Sequence, residues 1–168
     1  MVLSCKEAPK EQTLKLTSVF DINSDLVDFK KEMTELDTLT VLFDHSVCTY
    51  QGFERIIITK ESDSLKIRSE FKESAFKKPK WNLVYEKMIS PNDTTWKFGQ
   101  FIERNSKRRT SDKKTRGILI IANKKDTIQF FTDGLVDLNQ FLEDYYLTMR
   151  KIHPENKNGI YGYVLEEK

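Results

Sequence analysis

Apolar and polar residues alternate through much of the first half of the chain. The runs 39–48, 53–60 and 65–71 are rich in Val, Ile, Thr and Phe, which predicts three strands. Gln51-Gly52 and Ser62-Asp63-Ser64 separate them as turns, and a fourth strand is predicted over 81–89. Strands joined by breaks this short pair antiparallel, because parallel pairing needs a long crossover. Upstream, Leu14, Leu16 and Val19 suggest a short lead-in strand. Ser24 then caps a helix whose face is Leu26, Phe29, Met33 and Leu36. Asp25 and Asp28 in its first turn suit the helix dipole.

The second half changes period. Ser90-Pro91-Asn92-Asp93 reads as a helix start, with Phe98, Phe101 and Ile102 along one face and Gly99 as a weak point. A polar loop over 105–116 follows. The runs 118–122 and 127–131 flank Asn123-Lys124-Lys125-Asp126 as a hairpin. The last helix carries the clearest stripe: Leu138, Phe141, Leu142, Tyr145, Met149 and Ile152. Asp137 with Gln140 reads as its cap, Val136 with Phe141 as a hydrophobic staple, and Pro154 as its stop. The tail allows a further short segment over 160–165. These elements give an α+β protein: an antiparallel β-meander sheet with about three helices, the C-terminal helix packed on the sheet.

Composition adds a core. Eleven Phe, six Tyr and two Trp in 168 residues supply enough bulk to bury without a disulfide or metal staple. The net charge is +2, so the whole molecule is no electrostatic ligand for nucleic acid. Two cysteines and two histidines cannot build a zinc cage of thiolates and imidazoles, and no cofactor motif is present. No run of about twenty apolar residues is present to span a bilayer.

Two local features invite chemistry. Asp44-His45-Ser46-x-Cys48 gathers an acid, an imidazole, a hydroxyl and a thiol, and a Cys–His pair is the alternative, enzymatic reading. In a regular strand, however, His45 and Cys48 point to opposite faces. Arg104, Lys107, Arg108, Arg109, Lys113, Lys114 and Arg116 form a basic segment, with Glu103 and Asp112 among them. It has no aromatic stacking platform inside it, which favours an acidic protein or lipid headgroup over nucleic acid. A second basic run over 72–80 lies beside Phe76 and Trp81.

The N-terminus carries an address. Leu3-Ser4-Cys5 resembles the end of a bacterial lipobox, in which the cysteine accepts diacylglycerol. A complete signal places a basic segment and roughly 7–15 apolar residues before that point. Only four residues precede Cys5, so the expectation is that the start was trimmed or recorded too far downstream. Residues 6–12 mix Pro with alternating charge and read as a solvated tether, leaving 13–168 as one domain. His45-Ser46-x-Cys48, together with Phe131-Thr132-Asp133-Gly134 before the last helix, is similar to small Gram-negative envelope lipoproteins over about 36–73 and 117–147. That resemblance implies an envelope location and brings no activity to carry over. The expectation is therefore a non-enzymatic protein, lipid-anchored through Cys5 at the outer membrane, that works by binding another protein through the basic segment. One concrete form is an immunity or inhibitor protein facing a periplasmic toxin or hydrolase. If the Leu-Ser-Cys match is chance, the protein is cytoplasmic.

Overall fold

The computed structural model describes residues 17–47, 50–74, 79–110 and 117–162. Cys5, the tether, Leu14, Leu16, Cys48, Phe76, Lys113, Lys114 and Arg116 lie outside them.

A single 3-10 turn at Leu26–Asp28 runs into the short helix α1 (Phe29–Glu32). Four strands follow: β1 (Thr38–Asp44), β2 (Gly52–Glu61), β3 (Ser64–Glu73) and β4 (Asn82–Ile89). Helix α2 (Phe98–Arg104) and a second 3-10 turn lead to β5 (Arg109–Thr110). The hairpin β6 (Leu119–Ala122) and β7 (Thr127–Phe130) precedes helix α3 (Gly134–Arg150). The sheet has seven strands in the order β4-β3-β2-β1-β6-β7-β5, every pair antiparallel. The α+β class, the meander β1–β4 and the C-terminal helix agree with the sequence expectation.

Alternation sorts the two faces. Leu39, Val41 and Phe43 of β1, Ile56 and Ile58 of β2, Leu65 and Ile67 of β3, and Leu119 and Ile121 of β6 are all buried. Helix α3 lies on this face, with Tyr145 stacked on Phe43 at a centroid distance of 3.6 Å and Phe141 6.0 Å from the same ring. Phe29 meets Trp96 and Phe98 edge-on, which joins α1 to α2. Each fully buried aromatic or aliphatic side chain of this size contributes about 1.5–3 kcal/mol of transfer free energy. The alternate strand positions, including Leu42, Arg55, Ile57, Lys66, Arg68 and Ile120, are half-exposed and form an open face.

Four local expectations are corrected. Val19 is exposed and residues 17–21 form no strand. The first helix stops at Glu32, because Met33 turns extended (φ −64°, ψ 142°) and Asp37 ties the backbone at Thr34 into a turn. Leu36 is left 45% exposed. Ser90-Pro91 opens a turn, with Ser90 Oγ accepting from Asn92 N–H, and the helix begins only at Phe98. Helix α3 starts at Gly134 (φ +75°), three residues before Asp137, and Val136 is 74% exposed, so it staples nothing. The Asp137 carboxylate instead accepts the Asp133 N–H at 2.9 Å.

Gly99 has a packing reason. A Cβ there would stand 1.9 Å from the Val27 carbonyl oxygen, so α2 crosses the first 3-10 turn closely enough to admit only glycine.

Candidate functional site

Polar residues continue three of the buried apolar alternations. His45 follows Phe43 in the phase of β1, Glu54 precedes Ile56 in β2, and Ser69 follows Ile67 in β3. In register, Glu54 lies between Phe43 and Phe71, on the helix-covered face. The three converge there under α3 and the C-terminal segment.

The Glu54 side chain is completely buried. Its Oε1 accepts from Ser69 Oγ at 2.6 Å and from the Tyr161 hydroxyl, and its Oε2 accepts from the Tyr145 hydroxyl at 2.8 Å. His45 Nε2 approaches the same Oε2 at 3.2 Å, so four groups fill the acceptor sites of one carboxylate. Aromatic rings and hydroxyls surround these donors. Tyr146 OH lies 3.2 Å from His45 Nδ1, and Tyr85 OH lies 3.2 Å from Tyr161 OH. His45 also stacks on Tyr146 and meets Phe43 and Phe71 edge-on.

Burial by itself would push the Glu54 carboxyl up. The hydrogen bonds and charge of His45, with Ser69 and Tyr161, outweigh it and hold the group below the ordinary carboxylate value. The same carboxylate acts on its neighbours. Burial, reinforced by Glu54, raises the phenols of Tyr145 and Tyr161 well above their ordinary range and that of Tyr146 to about 12. These phenols are therefore fixed donors around an ionised acid.

The connectivity has chemical meaning. An acyl-transfer triad needs serine on imidazole and imidazole on acid. Here Ser69 donates to the acid directly, and both His45 nitrogens are occupied, one by Glu54 and one by Tyr146. The hydroxyl thus lacks its base. Cys48, the other half of the enzymatic alternative, lies outside the described residues. Grooves among the described residues lie elsewhere. One of about 530 Å³ runs past Lys30, Asp93, Trp96 and Glu103, and one of about 620 Å³ past Lys107, Arg108, Phe131 and Asp137. The cluster lines neither. Among the described residues, no group of three or more His, Cys, Asp or Glu side chains is placed to hold a metal ion.

The basic segment is partly consumed by the fold. Arg104 Nη2 donates to Asp144 at 2.6 Å, Arg108 pairs with Asp137 and lies over the Phe141 ring, and Arg109 Nη2 donates to Asn23 Oδ1 at 2.6 Å. Lys107 is exposed. The described arginines therefore fasten α2 and the second 3-10 turn to α3, and β5 to the turn around Asn23.

A different cationic cluster occupies one corner of the open sheet face. The Arg55 guanidinium sits 4.5 Å and the Lys72 ammonium 4.9 Å from the Trp81 ring centre, and Lys72 is also 5.3 Å from Phe53. Such contacts are worth about 0.5–1 kcal/mol each at exposed sites. Glu70 holds Arg55 and Arg68, and that pair of guanidiniums, Arg55 first, lowers its carboxyl. Leu83 beside it on β4 is 53% exposed.

Sequence reasoning identified His45 and the Tyr145 stripe but missed Glu54, Ser69 and Tyr161. The period-two phase of Ile56 and Ile58 marks Glu54 as inward-facing, and that of Leu65 and Ile67 marks Ser69. Tyr161 sits in an aperiodic segment that carries no such signal. No protein-family model, curated protein or solved structure matches the chain.

Proposed function

We propose that the protein acts by binding another protein, without catalysis of its own, and that a lipid on Cys5 holds it at the cell envelope. One observation carries the binding part: Trp81, Phe53, Arg55 and Lys72 are clustered on a sheet face that no described helix covers, beside exposed Leu83. Trp and Arg are the residues enriched where interfaces concentrate their energy. Glu70 pairs with Arg55 and Arg68, Glu86 lies 3.5 Å from Arg68, and Lys72 sits on the Trp81 ring, so three cations meet two carboxylates at this corner, and the partner it suits is an acidic protein surface. The non-catalytic part draws support from Ser69 and His45, which are both spent on Glu54. The address draws support from Leu3-Ser4-Cys5 and the charged tether behind it.

The test is site-specific photo-crosslinking of the full chain from position 83 in its native cells. A discrete adduct that disappears in the Arg55→Glu/Lys72→Glu variant is expected. Adducts that are unchanged in that variant, or equal to those from a control probe at Lys157, would sink the reading. Mass spectrometry of the N-terminal peptide tests the address separately: Cys5 should carry diacylglycerol, and Cys5→Ser should release the protein from the membrane fraction.

A further inference from the structure

We infer that residues 153–162 form an acid-releasable strap over the Glu54 cluster, with His153 as the trigger. The strap follows α3 and doubles back across β4. It is built of turns, with left-handed backbone at Asn156, Gly159 and Gly162. Its own bonds are local: three turn bonds, Asn156 N–H to His153 O at 3.2 Å, Gly159 N–H to Asn156 O at 2.8 Å and Gly162 N–H to Gly159 O at 3.0 Å, with Asn156 Nδ2 to Gly162 O at 2.6 Å and Tyr161 N–H to Asn156 Oδ1 at 3.2 Å. Beyond the His153 N–H bond to the Met149 carbonyl at 3.0 Å, side chains hold it to the body. Tyr161 reaches Glu54 and Tyr85, Arg150 donates to the Tyr161 carbonyl, Lys87 meets Glu155 at 3.3 Å, and His153 stacks on Tyr85 at 4.7 Å. A hollow of about 180 Å³ remains between Asn158 and Ile160 of the strap and Phe71, Leu83 and Val84 of the sheet. A segment whose backbone bonds are all short-range turns and whose packing is incomplete opens ahead of the rest of a fold.

His153 is the weak contact. Its ring is buried, and neither nitrogen makes a protein hydrogen bond. Glu155 Oε2 comes within 3.2 Å of Nδ1 without the alignment a bond requires. The groups that face the ring are Tyr85 and Lys87 from β4, Glu155 and Tyr161 from the strap, and Glu54 from β2 behind the two phenols. Lys87 opposes a second positive charge, Tyr85 and Tyr161 are neutral, and Glu54 already has its four partners. A proton on His153 therefore has one good outlet, rotation toward Glu155 and water. That rotation breaks the stack on Tyr85 and the edge contact with Tyr161, whose ring centre is 6.3 Å away. Tyr161 then has less to hold it on Glu54.

The electrostatics agree. Burial holds the imidazole below its ordinary value of 6.5, against the pull of Glu155. The closed strap thus keeps His153 neutral, and the open one returns it to its ordinary value. Opening takes up a proton and grows as pH falls below about 6.5, by at most about tenfold per pH unit.

Amide hydrogen exchange of the 153–162 segment between pH 7.5 and 5, corrected for intrinsic rates, tests this in the full chain. The opening constant should rise across that window, by at most about thirtyfold, the limit set by an open-state histidine of ordinary value 6.5. It should become flat in His153→Phe, which keeps the stack and removes the proton site. If that variant does not fold, His153→Gln serves. A wild-type opening constant independent of pH, or a pH dependence that survives in the folded variant, would overturn the proposal. A histidine NMR titration gives a second check: the ring signal lost in His153→Gln should titrate below 6.5, and titration at or above it would also overturn the proposal.

Discussion

Glu54 and Glu70 sit one strand apart on opposite faces of the same sheet, and both carboxyls are held below their ordinary value. The means differ. On the covered face Glu54 is held by three hydroxyls and one imidazole, all buried or nearly so. On the open face Glu70 is held by the guanidiniums of Arg55 and Arg68, which reach solvent. The first arrangement depends on buried groups, out of reach of salt. The second depends on mobile charges that salt can screen. A sheet can therefore carry an acid on either side, but only the covered side turns that acid into a constraint on distant parts of the chain. Glu54 ties β1, β2, β3, α3 and the C-terminal strap together, whereas Glu70 ties neighbouring strands that already pair.

The largest expected effect is Glu54→Gln. The amide nitrogen would face two of the four donors, leaving buried hydroxyls without an acceptor, a loss of roughly 3–5 kcal/mol in urea unfolding. A loss under about 1 kcal/mol would show that the covered cluster is no tighter than the open one. Next comes Tyr145→Phe, which removes one donor and should cost about 1–3 kcal/mol with no change on raising salt. The smallest is Glu70→Gln, expected within about 1 kcal/mol and shrinking further at 0.5 M salt, taken as roughly a 4 Å screening length. Both lowered carboxyls stabilise the fold above the ordinary value of 4.5, and that stability is lost as pH falls through their folded values. Acid unfolding followed at low and high salt separates them: Glu70→Gln should remove the salt-sensitive part, and Glu54→Gln the part that salt leaves alone.

The strands were legible because alternation is a local signal, and burial in β1, β6 and β7 follows the spacing of Leu, Val, Ile and Phe in the sequence. Helix ends were less so. Leu26, Phe29 and Met33 are all buried, as their spacing predicts, yet the helix ends at Glu32 because the Asp37 carboxylate captures Thr34. Gly99 looked like a helix-weakening residue and is instead the point of closest approach between α2 and the first turn, a fact that depends on Val27 far away in sequence. The cluster around Glu54 was half legible. Phase alone points His45, Glu54 and Ser69 inward, but their meeting with Tyr161 requires the strap to fold back. The Arg55–Trp81 corner depends on the register of β2, β3 and β4, which no single segment encodes.

The strand order has a consequence for how the chain assembles. Leu42 of β1 pairs with Arg55 on one side and Ile120 on the other. The first partner is thirteen positions away and the second seventy-eight, so closing the second loop costs about 1.6 kcal/mol more in chain entropy. The meander β1–β4 is thus favoured to form early, with β6 and β7 docking onto the free edge of β1 late. Destabilising substitutions at Ile58 or Ile67 should then slow refolding, while equivalent ones at Ile121 or Ile128 should mainly hasten unfolding.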